Sequence, residues 1–275
     1  MPNHVTNQRM ERFSTSAGPI LNGEVTGSAL FRMSPRDVPA LRRKPGPIPE
    51  GWGRVPPSLL RNSDEQTIAG TAAVFTAMEV MGRSGDEFES WGVVAASRYL
   101  GRANLAVALR SFVAEGVWGT SPHLIPHFAL HSASGTISLA LGLHGPNLGV
   151  GGGLHAEAEG FLAALTWLAA GVVPGVWLVL SGWSPELIPD RRGSTPPTGE
   201  CRALALALTA VGTSGERPVF RVVIEAESHH APAPLDLVGL AESLGDRGEP
   251  SPRVIATDPR GRLRVELIEG SDGRG

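Results

Sequence analysis

Apolar residues fall into two spacings along this chain, and the two alternate. Ile68, Ala72, Phe75 and Met78 recur at steps of four, three and three, which lays one apolar face along a helix. That helix opens near Ser63, where Ser63 and Gln66 have capping-box spacing, and Gly82 is its stop. Residues 91–96 (WGVVAA) form an unbroken apolar run, short enough for a buried strand. Residues 104–115 return to helical spacing, with Leu105, Leu109 and Phe112 on one face. Residues 126–141 are mostly helical, with Ala133, Ile137 and Leu141 in register, and 148–150 form a short strand within a glycine cluster. The longest helix is expected at 154–170, its buried stripe being Leu154, Ala158, Phe161, Leu165 and Leu168. A strongly apolar strand follows at 176–181. Strands at 201–211 and 218–227 are expected to pair as a hairpin, followed by a short helix at 234–244 and edge strands at 253–256 and 262–267. Helices alternating with apolar strands predict an α/β domain with a buried sheet. No internal repeat is present.

Composition adds boundaries to this pattern. Residues 1–60 are rich in Pro, Gly and Arg, which predicts an irregular N-terminal segment. The main domain is then expected at 61–230, with a short helix and edge-strand tail at 231–275. The triplet Arg42-Arg43-Lys44 reads as a solvated loop rather than a docking patch for an acidic partner. A formal net charge of −3 and the lack of a basic stripe argue against nucleic acid as a partner. The single cysteine, Cys201, excludes an intramolecular disulfide framework and fits a reducing compartment, so a cytoplasmic location is expected. The first residues lack the apolar core of a secretory signal. From Phe161 to Trp183 run 23 residues without a charge, on paper enough to cross a bilayer. Gly171, Pro174 and Gly175 interrupt them, so a buried helix, a turn and a buried strand are expected instead of a membrane span.

The informative segment is 121–184. In order, it carries Ser121-Pro122, Ile125-Pro126-His127, Gly135-Thr136-Ile137, Leu141-Gly142-Leu143 and Gly145-Pro146-Asn147. A strand, a long helix and a second apolar strand ending in Ser181-Gly182 follow. In order and spacing this resembles the N-terminal half of β-ketoacyl synthases, which have the thiolase-like fold. Residues 91–101 resemble that family's strand and glycine turn before its next helix. The resemblance covers roughly residues 60 to 230. It implies an α/β, thiolase-like fold, one half of a complete ketosynthase.

In that family the strand after Gly-Pro-Asn ends in a tight turn carrying the nucleophilic cysteine at the head of the long helix. A helix N-terminus favours a thiolate, and free backbone N–H groups there hold an oxyanion. Counted without gaps from Gly145, the cysteine position falls on Leu154, and the same register matches Gly171 to the family's glycine after the helix. A register with two residues deleted aligns His155 with a family histidine and puts Gly152 at the nucleophile position. Neither register supplies a cysteine, serine or threonine, and leucine has no group to form a thioester. The two histidine motifs of a ketosynthase's C-terminal half are also missing. These features resemble cysteine-less chain length factors, in particular the short ones found beside aryl-polyene-type synthases. Standard members carry glutamine at this position. Leu154 departs from that, so the decarboxylase role tied to the glutamine is not carried over.

Other candidate residues have plainer readings. Gly149 to Gly153 look like a phosphate loop but lack the P-loop lysine, and Leu154 stands at the sixth position of Gly-x-Gly-x-x-Gly. Sharp turning and close packing explain them better. Glu157 and Glu159 sit in first turns, where acids are favoured, but point to different faces. His229 and His230, adjacent on a strand, point apart, and Pro126 interrupts the series His123, His127, His131. Neither set is expected to bind metal, and no cofactor is expected. Cys201 opens an apolar strand and reads as structural.

The expected function is that of a non-catalytic subunit. Its partners would be a catalytic ketosynthase and an acyl-carrier protein, with no membrane involved and a homodimer as the alternative assembly. By the resemblance, Phe128, Leu130, His131, Thr136, Leu148 and Val150 would line an acyl channel or touch the partner. A second expectation is an acyl-thioester decarboxylase or hydrolase using His155, and a third is a homodimeric acyl-binding scaffold.

Overall fold

The computed structural model describes residues 19–43, 57–83, 85–122, 124–190, 192, 199–212, 217–225, 235–245, 253–260 and 262–268. Its strands are β1 (Ile20–Met33), β2 (Gly92–Ser97), β3 (Asn147–Gly151), β4 (Gly175–Ser184), β5 (Glu200–Thr209), β6 (Val219–Ile224), β7 (Arg253–Thr257) and β8 (Leu263–Ile268). All eight join one mixed sheet in the order β3-β2-β4-β5-β1-β6-β8-β7. Strands β3, β2 and β4 run parallel, and every other pair is antiparallel.

Helices cover both faces. On one lie α7 (Ala156–Ala169) and α8 (Leu237–Gly245), and on the other α3 (Glu65–Met81) and α6 (His131–Leu141). Period-two alternation in the central strands explains this. In β4, Val176, Leu178 and Leu180 face the α7 core, and Trp177 and Val179 face the α3 core. In β5, Leu204, Leu206 and Leu208 face α7, while Cys201, Ala203, Ala205 and Ala207 face α3. That small-residue side meets a helix buried from Gln66 through Phe75, as expected of a helix that is apolar on more than one side. The chain 161–183 forms the helix, turn and strand expected, and among the described residues no helix is long and apolar enough to cross a membrane.

Several expectations need correction. The N-terminal segment is not irregular throughout, because residues 20–33 form the longest strand and lie in the middle of the sheet. Polar residues and two glycines hide its alternation. Gly23 and Gly27 lie directly beneath Leu165 and Met81, where a larger side chain would collide. Strands β5 and β6 do not form a hairpin, since β1 lies between them and pairs with both. Strand β8 pairs with both β6 and β7, so it is not an edge. The cap of α3 is Asp64, whose Oδ1 accepts the Gln66 N–H at 2.8 Å, while the Ser63 hydroxyl donates to the Leu59 carbonyl. At 14 residues α7 is shorter than the 17-residue α3, because residues 151–155 go into a turn. The triplet at 42–44 is not all solvated loop: Arg42 follows α1 (Val38–Leu41) and bonds the Ser63 carbonyl and Glu65, both at 3.1 Å. Helix α4 (Arg102–Glu115), expected to bury Leu105, Leu109 and Phe112, has no buried residue.

Candidate functional site

The parallel strands β2, β3 and β4 end on the same side of the sheet. Ligands of open α/β sheets gather beyond such strand ends. Here β3 passes into α7 through residues 151–155. Gly151 and Gly152 both have positive φ, at 82° and 97°. The Gly152 carbonyl accepts the Tyr99 amide at 3.2 Å, which ties the turn to the end of β2. Leu154 projects from this turn and is 43% exposed. It therefore lies outside the buried stripe of α7, which runs through Ala158, Phe161, Leu165 and Leu168.

His155 caps α7 by position, without a side-chain bond to the helix backbone. Its Nδ1 lies 3.0 Å from the Thr257 carbonyl of β7. A carbonyl only accepts, so Nδ1 carries the proton in this bond and the neutral ring keeps Nε2 as an acceptor. Two residues further on, in the first turn of α7, Glu157 is fully buried and pairs with Arg98. Burial pushes the Glu157 carboxyl up to about 7 against the opposing pull of the Arg98 guanidinium. Arg98 also donates to the Leu235 carbonyl, so one side chain joins the end of β2, the head of α7 and the approach to α8. Its backbone is fixed as well: its N–H donates to Ser181 at 2.8 Å, and its carbonyl accepts from the Gln66 amide at 2.7 Å. Ser97, Ser181 and Gln66 continue this buried polar chain across the strand ends.

Beside it lies a narrow cleft lined by Asp64, Glu65, Tyr99, Arg102 and Glu186. Tyr99 holds a positive φ of 49°, uncommon for a residue with a side chain, and its ring lies 3.4 Å from the Arg102 guanidinium carbon. Burial first, and then the Glu65 charge, raise Asp64 to about 7, while N–H bonds from Gln66 and Asn104 oppose the rise. Burial likewise raises Glu186 to about 7, with Arg102 and Arg98 opposing.

The residues expected to line a channel divide into two groups. Phe128 ends α5 (Leu124–Phe128) and packs against Gly101. Leu130 precedes α6, with its side chain over Gly152 and its carbonyl against Gly149. A Cβ on Gly149 would fall 2.1 Å from that carbonyl oxygen, so only glycine lets β3 and the head of α6 approach this closely. Leu148 and Val150 lie on the opposite side of β3, on the outer strand of the sheet. His131 is exposed at the start of α6, and Thr136 is buried within it. The turn thus gathers Leu130, Gly152, Leu154 and His155, while Phe128 stands at the neighbouring base of α4.

Glu157 is buried and Glu159 exposed, in line with opposite faces. His127 and His131 fall on two separate short helices, and His123, His229 and His230 lie outside the described residues. Cys201 is fully buried against α3, and burial pushes its thiol well up. Sequence reasoning missed Arg98, Tyr99, Asp64 and Glu186. The visible signal was an Arg-Tyr pair at 98–99, one residue beyond the apolar run 91–96 and just before Gly101.

No protein-family model matches the chain, and no curated protein does. Solved structures do. A chain of the complex of a ketosynthase (ApeO) with its chain length factor (ApeC) from Xenorhabdus doucetiae matches with a TM-score of 0.55 at 15% identity, over 90% of this chain and 99% of that one. A type II polyketide synthase ketosynthase with its acyl-carrier protein (AntDE:AntF) matches at 17% identity over 70% of this chain, with a TM-score of 0.49. The ishigamide ketosynthase/chain length factor matches at 17% identity over 74%, also with a TM-score of 0.49. This chain spans 63% and 65% of the length of the latter two. The Xenorhabdus match, nearly end to end, shows that the fold is α/β and ketosynthase-like.

Proposed function

We propose that this protein is a non-catalytic ketosynthase-like subunit of the chain-length-factor type. It partners an active ketosynthase in fatty-acid or polyketide biosynthesis of the aryl-polyene kind, and an acyl-carrier protein delivers substrate to the pair. One observation carries the reading. The turn that leads from β3 into α7 offers Leu154 and Gly152 where an acyl-transferring member of the fold needs a thiol. Support for a partner comes from β3, an outer strand whose residues Leu148, Gly149 and Val150 carry no charge or proline to discourage pairing. The near end-to-end likeness to a chain of a ketosynthase–chain length factor complex agrees with it. In this arrangement β3 extends the partner's sheet, and Phe128 and Leu130 wall the acyl pocket.

A second reading has an observation of its own. His155 is oriented by the Thr257 carbonyl with Nε2 left as an acceptor, the arrangement of a general base. It would serve decarboxylation or hydrolysis of an acyl thioester.

Co-expression with a candidate ketosynthase partner, and thioester turnover by the isolated chain, test the two readings. The expected result is a stable complex, with acyl groups on the ketosynthase only, as read by intact-mass spectrometry. Failure of the two chains to co-purify would falsify the subunit reading. Thioester turnover by the isolated chain that is lost in His155→Ala would establish the second reading in its place.

A further inference from the structure

Between the last rung of β3 and the buried stripe of α7, the chain is held by few apolar contacts. Gly151 and Gly152 have positive φ, nothing lies within 4 Å of where a Cβ on Gly153 would sit, and Leu154 is exposed. From 151 to 156 only Ala156, which packs on Gly151, is buried. Polar ties hold the rest. The Tyr99 N–H donates to Gly152, His155 Nδ1 to Thr257, and Glu157 pairs with Arg98, which also reaches Leu235. The turn is thus clasped on one side by the end of β2 and on the other by the C-terminal segment. Two glycines able to take other backbone angles stand at its base.

One of these ties is incomplete. Glu157 is entirely buried, yet neither of its carboxylate oxygens completes a well-aligned hydrogen bond among the described residues, and neither does Arg98 Nε. A buried ion pair repays its loss of water only when its geometry is good and its remaining lone pairs are satisfied. The surroundings add little. Strands β2, β3 and β4 turn Val94, Ala96, Val150, Leu178 and Leu180 toward α7, and β1, β6, β7 and β8 turn apolar side chains the same way. The other titratable groups at this end have partners or distance of their own. His155 bonds Thr257, Glu186 interacts with Arg102 and Arg98, Asp236 accepts the Val238 N–H, and Asp258 accepts the Leu263 N–H. Water therefore serves the ionised carboxylate better than this site does, and the site serves the protonated one. The rise of Glu157 to about 7, caused by burial against the pull of Arg98, agrees.

We propose that Glu157 is a proton-operated latch on the β3–α7 turn: while protonated it keeps residues 151–157 clasped to β2 and the C-terminal segment, and once ionised it lets them swing open to water. The isolated chain carries every group the latch uses, whichever reading of function holds. Opening uncovers the strand ends beside Leu154 and His155, where either reading puts an acyl group, so access to that place depends on pH. The closed turn holds the proton more tightly than the open one, whose hydrated carboxyl has its ordinary value of 4.5. Opening is therefore rarest below that value, rises about tenfold per pH unit up to about 7, and is level above.

Amide hydrogen exchange of the full chain, followed by NMR and corrected for the intrinsic rate, tests this. The reporters are the amides of Tyr99, Ala156 and Ala158, whose acceptors are Gly152, Gly153 and His155. The expected result is protection that falls about tenfold per unit between about pH 5 and 7 and then levels. It should lie below that of the β5 amides, which report global unfolding. Glu157→Gln, which keeps the neutral shape, should abolish the fall. Protection that is flat or rises over that range overturns the proposal, and so do reporters that share the protection and slope of β5. A fall that survives in Glu157→Gln overturns it as well. The comparison with β5 uses the parent protein alone, so it decides the matter even if the variant does not fold.

Discussion

Arg98 and Glu157 form the buried charge pair at the head of α7, and its cost and value depend on pH. Removing one partner of such a pair leaves an uncompensated charge, which typically costs about 3–5 kcal/mol. Arg98→Ala should therefore destabilise the fold by about 3 kcal/mol at pH 8, and by less at pH 6, where Glu157 takes up a proton. Thermal melts at the two pH values check this. The same logic governs the parent protein. Asp64, Glu157 and Glu186 are each raised to about 7 from ordinary values of 3.8 to 4.5. The folded state thus holds these protons more tightly than the unfolded chain does. Their contribution is fully present below the unfolded values and is lost as pH rises to about 7, beyond which it is flat. The contribution of these three groups to the melting temperature should fall between pH 5 and 7. Asp64→Asn, Glu157→Gln and Glu186→Gln combined should flatten that slope. None of this was legible in the sequence, because a charge is buried only once distant segments meet, and 59 positions separate Arg98 from Glu157.

Elements whose pattern came from one strong period were legible. α3, β2 and β4 appear where apolar spacing predicts them, because burial on both faces leaves few polar interruptions. The turn at 151–155 was legible through the resemblance and its glycines, though not its ties to Tyr99 and Thr257. Strand β1 was not, since the glycines under Leu165 and Met81 break its alternation. Apolar spacing misled at α4, where Leu105, Leu109 and Phe112 share one side but are exposed. The joint between β3 and α6 gives a direct test. Gly149→Val would drive a side chain into the Leu130 carbonyl, a backbone atom that moves only with the head of α6. Urea unfolding should show a loss of about 2 kcal/mol or more, typical of overpacking.

For the molecule as a whole, one sheet runs through all three stretches that composition marks off at residues 60 and 230. Among the described residues, the hydrogen-bonded ladder joins strands β3, β2, β4 and β5 to β6, β8 and β7 only through β1. A fragment covering residues 61–275 keeps seven strands but splits them into two sheets, each with a raw new edge. It should be insoluble or lack a cooperative thermal transition by circular dichroism, while the full chain melts in one step. The central position of β1 also sets an order of events during synthesis. This strand leaves the ribosome before the other seven, and both of its neighbours, at residues 200–209 and 219–224, emerge more than 160 residues later. Until then it is a sticky ribbon with two bare sides, and such late closure is slow and invites wrong pairings. Nascent copies should therefore depend on a chaperone far more than the finished protein's stability would suggest.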